Sequence, residues 1–189
     1  MNATLAAGLW PSVRANWLYQ LVLAVGGSIL LAISAKVQVP FWPVPMTMQP
    51  LAVLLIGIGF GPQLGAATAL LYLAEGASGL PVFAKGGGAA YLAGPTAGYL
   101  ASYPFAAAIA GWMTQGGRGR SFGVALLGCL MAMLVIYAFG FGWLATFIGV
   151  QKAWFGGVQP FLIGDGVKVL IATLLAQTAW RQVSGQQGR

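Results

Sequence analysis

The sequence predicts an all-α, polytopic membrane protein, a single domain over residues 1–189 with six transmembrane helices. Of its 189 residues, 59% are hydrophobic and only 6% charged, against about 25% charged in a soluble domain. Mean hydropathy is +0.83, the reverse of a disordered chain, which stays unfolded because it has too little apolar surface to bury. The apolar residues form long continuous runs divided by Gly, Pro and scattered charges. A transmembrane barrel would instead show alternating segments of roughly 10 residues.

Residues 1–16 form a short, weakly amphipathic lead-in containing Arg14, and without a cleavage-like site no removed signal peptide is expected. The first span, 17–35, is roughly 28 Å long at 1.5 Å per residue, and a hydrocarbon core is about 30 Å thick. Along it Ala24, Ser28 and Ala32 recur every fourth residue, with Gly27 adjoining. Such a small-residue stripe lets another helix come close, and that helix belongs either to the same bundle or to a partner subunit.

Residues 36–49, KVQVPFWPVPMTMQ, contain Pro40, Pro43 and Pro45, which forbid a regular helix. Phe41 and Trp42 suit a membrane interface. The segment is a connector or a loop folded back over a cavity. Residues 50–60 and 62–76 are the next two spans, broken at Gly59-Phe60-Gly61-Pro62. Each is shorter than the roughly 20 residues of a full crossing, so tilting, extension into the flanking loops or packing inside the bundle is expected. Glu75, at the end of the second, reads as a carboxylate reaching interfacial water.

From 79 to 100 the sequence GLPVFAKGGGAAYLAGPTAGYL interrupts the apolar pattern with Gly86-Gly87-Gly88 and Gly94-Pro95-Thr96. Glycine lets a ligand approach the main chain, and Pro95 is suited to open a helix. Irregular backbone near membrane depth survives only where protein buries it or it lines a cavity. This loop therefore points to a binding site. Spans 95–113, 122–149 and 159–180 complete the set. They are joined by a solvent loop at 114–121, with Arg118 and Arg120, and a loop at 150–158, with Lys152 and Trp154; a polar tail, SGQQGR, follows. Cys129, inside the fifth span, reads as a small buried apolar residue.

Nine Lys and Arg against two acids give a net charge of +7. The basic residues are scattered singly near helix ends, so they set topology and form no nucleic-acid footprint. With no His and one Cys, the chain lacks His acid–base chemistry, disulfides and any Cys/His metal site, and no cofactor is implied. Six spans put both termini on one side, with Arg14, Arg118, Arg120, Arg181 and Arg189. Lys36, Lys85, Lys152 and Glu75 fall on the other. The positive-inside rule makes the arginine side cytoplasmic. The Gly-rich stretch, the Pro-rich loop and the start of the sixth span then share the external face.

The most chemical feature is Gly164-Asp165-Gly166-Val167-Lys168. Asp165 and Lys168, three apart in a helical segment, share a face. Ionisable groups inside a span are costly and mark function by default. Either they pair to lock the bundle, or Asp165 accepts N–H donors from a ligand while Lys168 donates to a ligand oxygen. A single deep carboxylate without His or a reactive Cys argues against an intramembrane enzyme. A non-transporting structural subunit would show no saturable ligand binding.

The chain resembles the BioY family, the biotin-specific membrane subunits (S-components) of energy-coupling-factor (ECF) vitamin transporters. The matching stretches are Val44-Pro45-Met46-Thr47-Met48-Gln49, Gly79-Leu80-Pro81-Val82-Phe83, the Gly-rich segment running into Gly94-Pro95-Thr96-Ala97-Gly98-Tyr99, and Gly164-Asp165 with Lys168. They extend over about residues 20–180. The resemblance implies a six-helix bundle in the bacterial cytoplasmic membrane, binding biotin near the external face and performing no covalent chemistry. It implies ligand contacts for Asp165 and Lys168, with Gly86, Gly87 and Gly88 in the loop that closes over the vitamin. Biotin's ureido ring, with two N–H donors and a carbonyl, suits one carboxylate and one ammonium. Its fused apolar rings suit Phe41, Trp42, Phe83 or Tyr91, and its carboxylate could meet Lys85 or water.

Three positions depart from the family's pattern, the first being Ala97, where the usual GPTGGY has glycine. Gly86 stands where some relatives have a polar amide, and Leu100 where they have Arg after the GGY element. The resemblance further implies a transmembrane coupling subunit and two cytoplasmic ATPases as partners, with Ala24, Ser28 and Ala32 resembling the face that meets the coupling subunit. The alternative within this class is an S-component for thiamine or riboflavin.

Overall fold

The computed structural model describes residues 4–9 and 16–187. Arg14 and Arg189 lie outside the described residues. Helix α1 (Leu5–Leu9) precedes α2 (Trp17–Lys36), α3 (Gln49–Phe60), α4 (Pro62–Ala77), α5 (Ala97–Thr114), α6 (Phe122–Ile148), α7 (Val150–Gly157) and α8 (Leu162–Gln187). Helix ends follow local chemistry. Asn16 caps α2 by accepting the Leu18 N–H at 2.9 Å, satisfying one of the orphan donors of a helix start. Helices α3 and α4 each open with proline in the first two positions, where its missing N–H costs nothing. Gly61 turns the chain between them at a φ of 84°.

Three segments differ from the sequence reading. Residues 36–49 contain a small antiparallel pair, β1 (Gln38–Val39) with β2 (Met46–Thr47), in the register Gln38↔Thr47. The prolines remove helix without preventing two short extended stretches. The loop expected at 150–158 is mostly helix α7, followed by a 3-10 turn at Gln159–Phe161. The expected polar tail is helical as far as Gln187. Three of the described helices are long and apolar enough to cross a membrane: Trp17–Lys36, Phe122–Ile148 and the Val150–Val183 stretch. Helix α3 has 12 residues, roughly 18 Å at 1.5 Å per residue.

Helix α5 is the hub, packed against α6, α4 and α3. Ala106, Ala107 and Ala110 on it are wholly buried. A Cβ on Gly57 of α3 would sit 2.3 Å from the Ala107 carbonyl oxygen, so these backbones approach directly, as small residues permit. Helix α2 lies at the edge, against α4 and α3, with Val22, Ile29 and Ile33 turned outward.

The small-residue stripe on α2 faces inward. Ala24 and Ser28 are buried, Ala32 is half-buried, and a Cβ on Gly27 would lie 2.6 Å from Thr68 Cγ2 of α4. Of the two readings of the stripe, these contacts support packing within the bundle for Ala24 and Ser28. They make a close helix contact inside this chain, because a buried Ser at that contact has an internal partner. Ser28 donates to the Glu75 carboxylate, so the half-buried Glu75 has a partner within the protein.

Candidate functional site

One end of the bundle gathers the β1–β2 hairpin, the loop after α4, helix α7 and the start of α8. Side chains tie these pieces together. Lys36 Nζ donates to the Phe83 carbonyl at 2.6 Å, and Gln38 Nε2 to the Ala84 carbonyl at 3.3 Å. Tyr99 Oη donates to the Gly157 carbonyl at 2.7 Å. The Tyr99 ring fits because residue 140 is glycine, where a Cβ would stand 2.2 Å from the ring. Buried Gln49 donates through Nε2 to Tyr72 Oη at 2.8 Å, and Tyr72 Oη donates to the Val82 carbonyl at 3.0 Å. The loop is thus held from two sides, by Lys36 and Gln38 from the hairpin end of α2 and by the buried Gln49–Tyr72 pair.

These elements enclose a cavity with ≈ 560 Å³ of empty space, its open mouth included. Met46, Leu100, Ile136 and Phe161 supply apolar wall, Tyr91, Tyr99, Tyr103 and Tyr137 supply aromatic wall, and Asp165 and Lys168 supply charge.

Asp165 and Lys168 are only 6% and 5% exposed. Lys168 Nζ lies 2.7 Å from Asp165 Oδ1, the one ion pair among the described residues. Lys168 also donates to the Thr47 carbonyl at 2.7 Å, and Tyr137 Oη donates to Asp165 Oδ2 at 2.6 Å. Each charge is therefore neutralised and hydrogen-bonded, the condition under which burying it is tolerable. Asp165 also sits in the first turn of α8, where the helix dipole favours negative charge. The set is not saturated. An ammonium has three donors and a carboxylate about four acceptor positions, so a ligand can still receive one N–H from Lys168 and donate to either Asp165 oxygen.

The other sequence candidates are distributed unevenly. Tyr91 lines the cavity. Phe83 does not line it. Its wholly buried ring stacks on Tyr91 at 5.0 Å and meets Tyr72 edge-on at 5.4 Å. It lies directly over Gly76, where a Cβ would come within 2.0 Å. Phe83 thus supports the ring that faces the cavity. Phe41 reaches the wall indirectly, edge-on to Phe161 at 6.0 Å. Trp42 is 78% exposed and stands off the cavity. Gly86, Gly87 and Gly88 shape the loop without lining the cavity. Gly86 and Gly88 have φ of 136° and 97°, in the region favouring glycine. Lys85 is exposed beside the lining residue Ala84.

Sequence reasoning missed Tyr137 as a site residue. The available signal was a hydroxyl in the interior of the apolar helix α6, where phenylalanine would bury as well without needing a partner.

A sequence model of the BioY family matches residues 4–185. The chain is 44% identical over 149 residues to a probable biotin transporter BioY of Pyrococcus horikoshii, covering 78% of this chain and 88% of that one. It is 35% identical to the biotin transporter BioY of Rhizobium etli, over 79% and 84% of the two chains. Its fold matches the crystal structure of the S-component for biotin from an ECF-type ABC transporter. There the TM-score is 0.75 at 22% identity, with 85% of this chain and 90% of that one covered. The chain belongs to the BioY family.

Proposed function

We propose that this protein is the biotin-binding membrane subunit of a vitamin uptake transporter, catalysing no covalent chemistry. The observation that carries the reading is the buried Asp165–Lys168 pair at the cavity wall, in a chain of the BioY family. A cyclic urea has N–H donors beside a carbonyl acceptor, the complement of the acceptor and donor positions this pair leaves open. The fused rings then lie against Tyr91, Met46 and Phe161, and the valeric carboxylate points to the mouth near Lys85.

The six longer helices act as six spans, with α3 and α4 made up to membrane depth by their flanking segments. Both termini face the cytoplasm, since Arg118, Arg120 and Arg181 gather at the end opposite the cavity and basic residues favour that side. The cavity opens outward. ATP hydrolysis belongs to two cytoplasmic ATPases, linked to this subunit through a transmembrane coupling protein in the cytoplasmic membrane.

Equilibrium binding of radiolabelled biotin to detergent-purified protein, with thiamine and riboflavin as competitors, tests the reading. Saturable binding displaced by neither competitor supports it. Folded protein that binds thiamine or riboflavin and not biotin overturns it.

A further inference from the structure

Tyr137 has a hydroxyl whose position needs an explanation. Helix α6 runs from Phe122 to Ile148 and is apolar enough to span a membrane. A hydroxyl inside it is costly unless it has a partner, and phenylalanine would fill the same wall. The partner of Tyr137 is Asp165 Oδ2, at 2.6 Å. The hydroxyls of two neighbouring tyrosines go elsewhere, Tyr99 to the Gly157 carbonyl and Tyr72 to the Val82 carbonyl.

We propose that Tyr137 is a positioning residue that sets ligand specificity through Asp165. The proposal rests on the biotin reading above. With Oδ1 on Lys168 and Oδ2 on Tyr137, the carboxylate is held at both oxygens and keeps one acceptor position on each, in the orientation those two partners set. Lys168, with one donor on Asp165 and one on Thr47, has a single N–H left. The site therefore asks for a donor and an acceptor side by side on a neutral group. A ligand head bearing donors alone leaves the remaining N–H of Lys168 unmatched. If it is also cationic, it faces the ammonium across the site. Removing the Tyr137 hydroxyl frees Oδ2 for a second donor, which relaxes that requirement.

Biotin and 2-iminobiotin separate this role from simple packing. In the second compound the ureido oxygen is replaced by an imino nitrogen, so the head becomes a guanidino group with donors and no carbonyl. Dissociation constants for both are measured on wild type, Tyr137→Phe and Ile136→Val. Ile136 is an apolar lining residue, so its variant reports loosened packing. A lost hydrogen bond to a charged group corresponds to roughly 10–100-fold in affinity.

Tyr137→Phe is expected to weaken biotin by about ten-fold and 2-iminobiotin by clearly less, so the preference for biotin narrows. Ile136→Val is expected to weaken both in the same proportion. Equal weakening of the two ligands by Tyr137→Phe, or no change in either, overturns the proposal and leaves Tyr137 as wall. Absence of biotin binding by folded wild type would overturn the biotin reading itself, an outcome distinct from either. Tyr137→Phe keeps the ring, and thermal unfolding of each variant checks that the comparison is between folded proteins.

Discussion

Lys168 Nζ stands 2.7 Å from the backbone carbonyl of Thr47, which lies 121 residues earlier in the chain. That contact joins the first turns of α8 to the β1–β2 hairpin. The charged pair and the cover of the cavity are therefore one unit, and a ligand drawing on Lys168 competes within the bonds that hold the hairpin down.

Asp165 and Glu75 are the only two acids in the chain, and their settings differ. Asp165 lines the cavity, while Glu75 accepts from Ser28 at the α2–α4 contact and does not line it. Asp165→Asn is expected to weaken biotin binding by at least about ten-fold, the scale of a lost charge-assisted hydrogen bond. Glu75→Gln should bind within about three-fold of wild type, because Glu75 does not line the cavity and glutamine keeps an oxygen to accept from Ser28. Equilibrium binding on the two purified variants decides it, and similar affinities would remove Asp165 from the site.

Lys168→Ala should do more than lose a ligand contact, because it leaves Asp165 buried without its cation. Breaking a buried pair on one side costs about 3–5 kcal/mol, whereas replacing both members with apolar residues of similar size is often neutral. The double variant Asp165→Leu, Lys168→Met is therefore expected to unfold at a temperature near wild type, above the single Lys168→Ala variant, and to bind no biotin. Thermal unfolding in detergent, paired with a binding assay, separates the two contributions. A double variant less stable than the single one would assign the pair a structural role.

Among the described residues the cavity wall has one cation, Lys168, and it is committed to Asp165. Leu100, where some relatives have Arg, is apolar wall at 4% exposure. Among the described residues no further cation lines the cavity to meet the ligand's carboxylate, and an exposed Lys85 contributes at most about 1 kcal/mol, the range for solvent-screened ion pairs. Biotinamide should therefore bind within about five-fold of biotin. A loss of a hundred-fold in a competition assay would mean that a cation closes over the carboxylate.

Much of this arrangement was legible in the sequence because it depends on local chemistry. Pro50, Pro62 and Gly149 mark helix ends wherever the chain goes, and Asp165 with Lys168 share a face in any helix. Relations between distant segments were not legible. Tyr137 matters only because α6 packs beside α8, and Phe83 supports Tyr91 only because Gly76 leaves room beneath it. The stripe of Ala24, Ser28 and Ala32 was ambiguous for a physical reason, since small residues serve an internal and an external helix contact equally well. Helix α7 escaped because 150–158, with Gly156 and Gly157, read as loop, although Gly149 and Gly157 bound a two-turn helix.

The two adjacent glycines of α2 turn that ambiguity into a measurement. A Cβ on Gly26 would meet nothing within 4 Å, whereas on Gly27 it would lie 2.6 Å from Thr68 Cγ2 and 2.9 Å from the Phe60 ring. Both sit inside a continuous helix, where alanine is favoured over glycine by about 0.5–1 kcal/mol. Gly26→Ala should therefore raise the unfolding temperature of the isolated protein slightly. Gly27→Ala gains the same helix preference but drives a methyl into α4, and overpacking costs about 1–3 kcal/mol, so its net effect should be destabilising. Opposite shifts in thermal unfolding would fix the inward face of α2 at Gly27 and Ser28. Equal stabilisation by both would mean that the α2–α4 contact is looser than the structure has it, and would return the stripe to the outer surface.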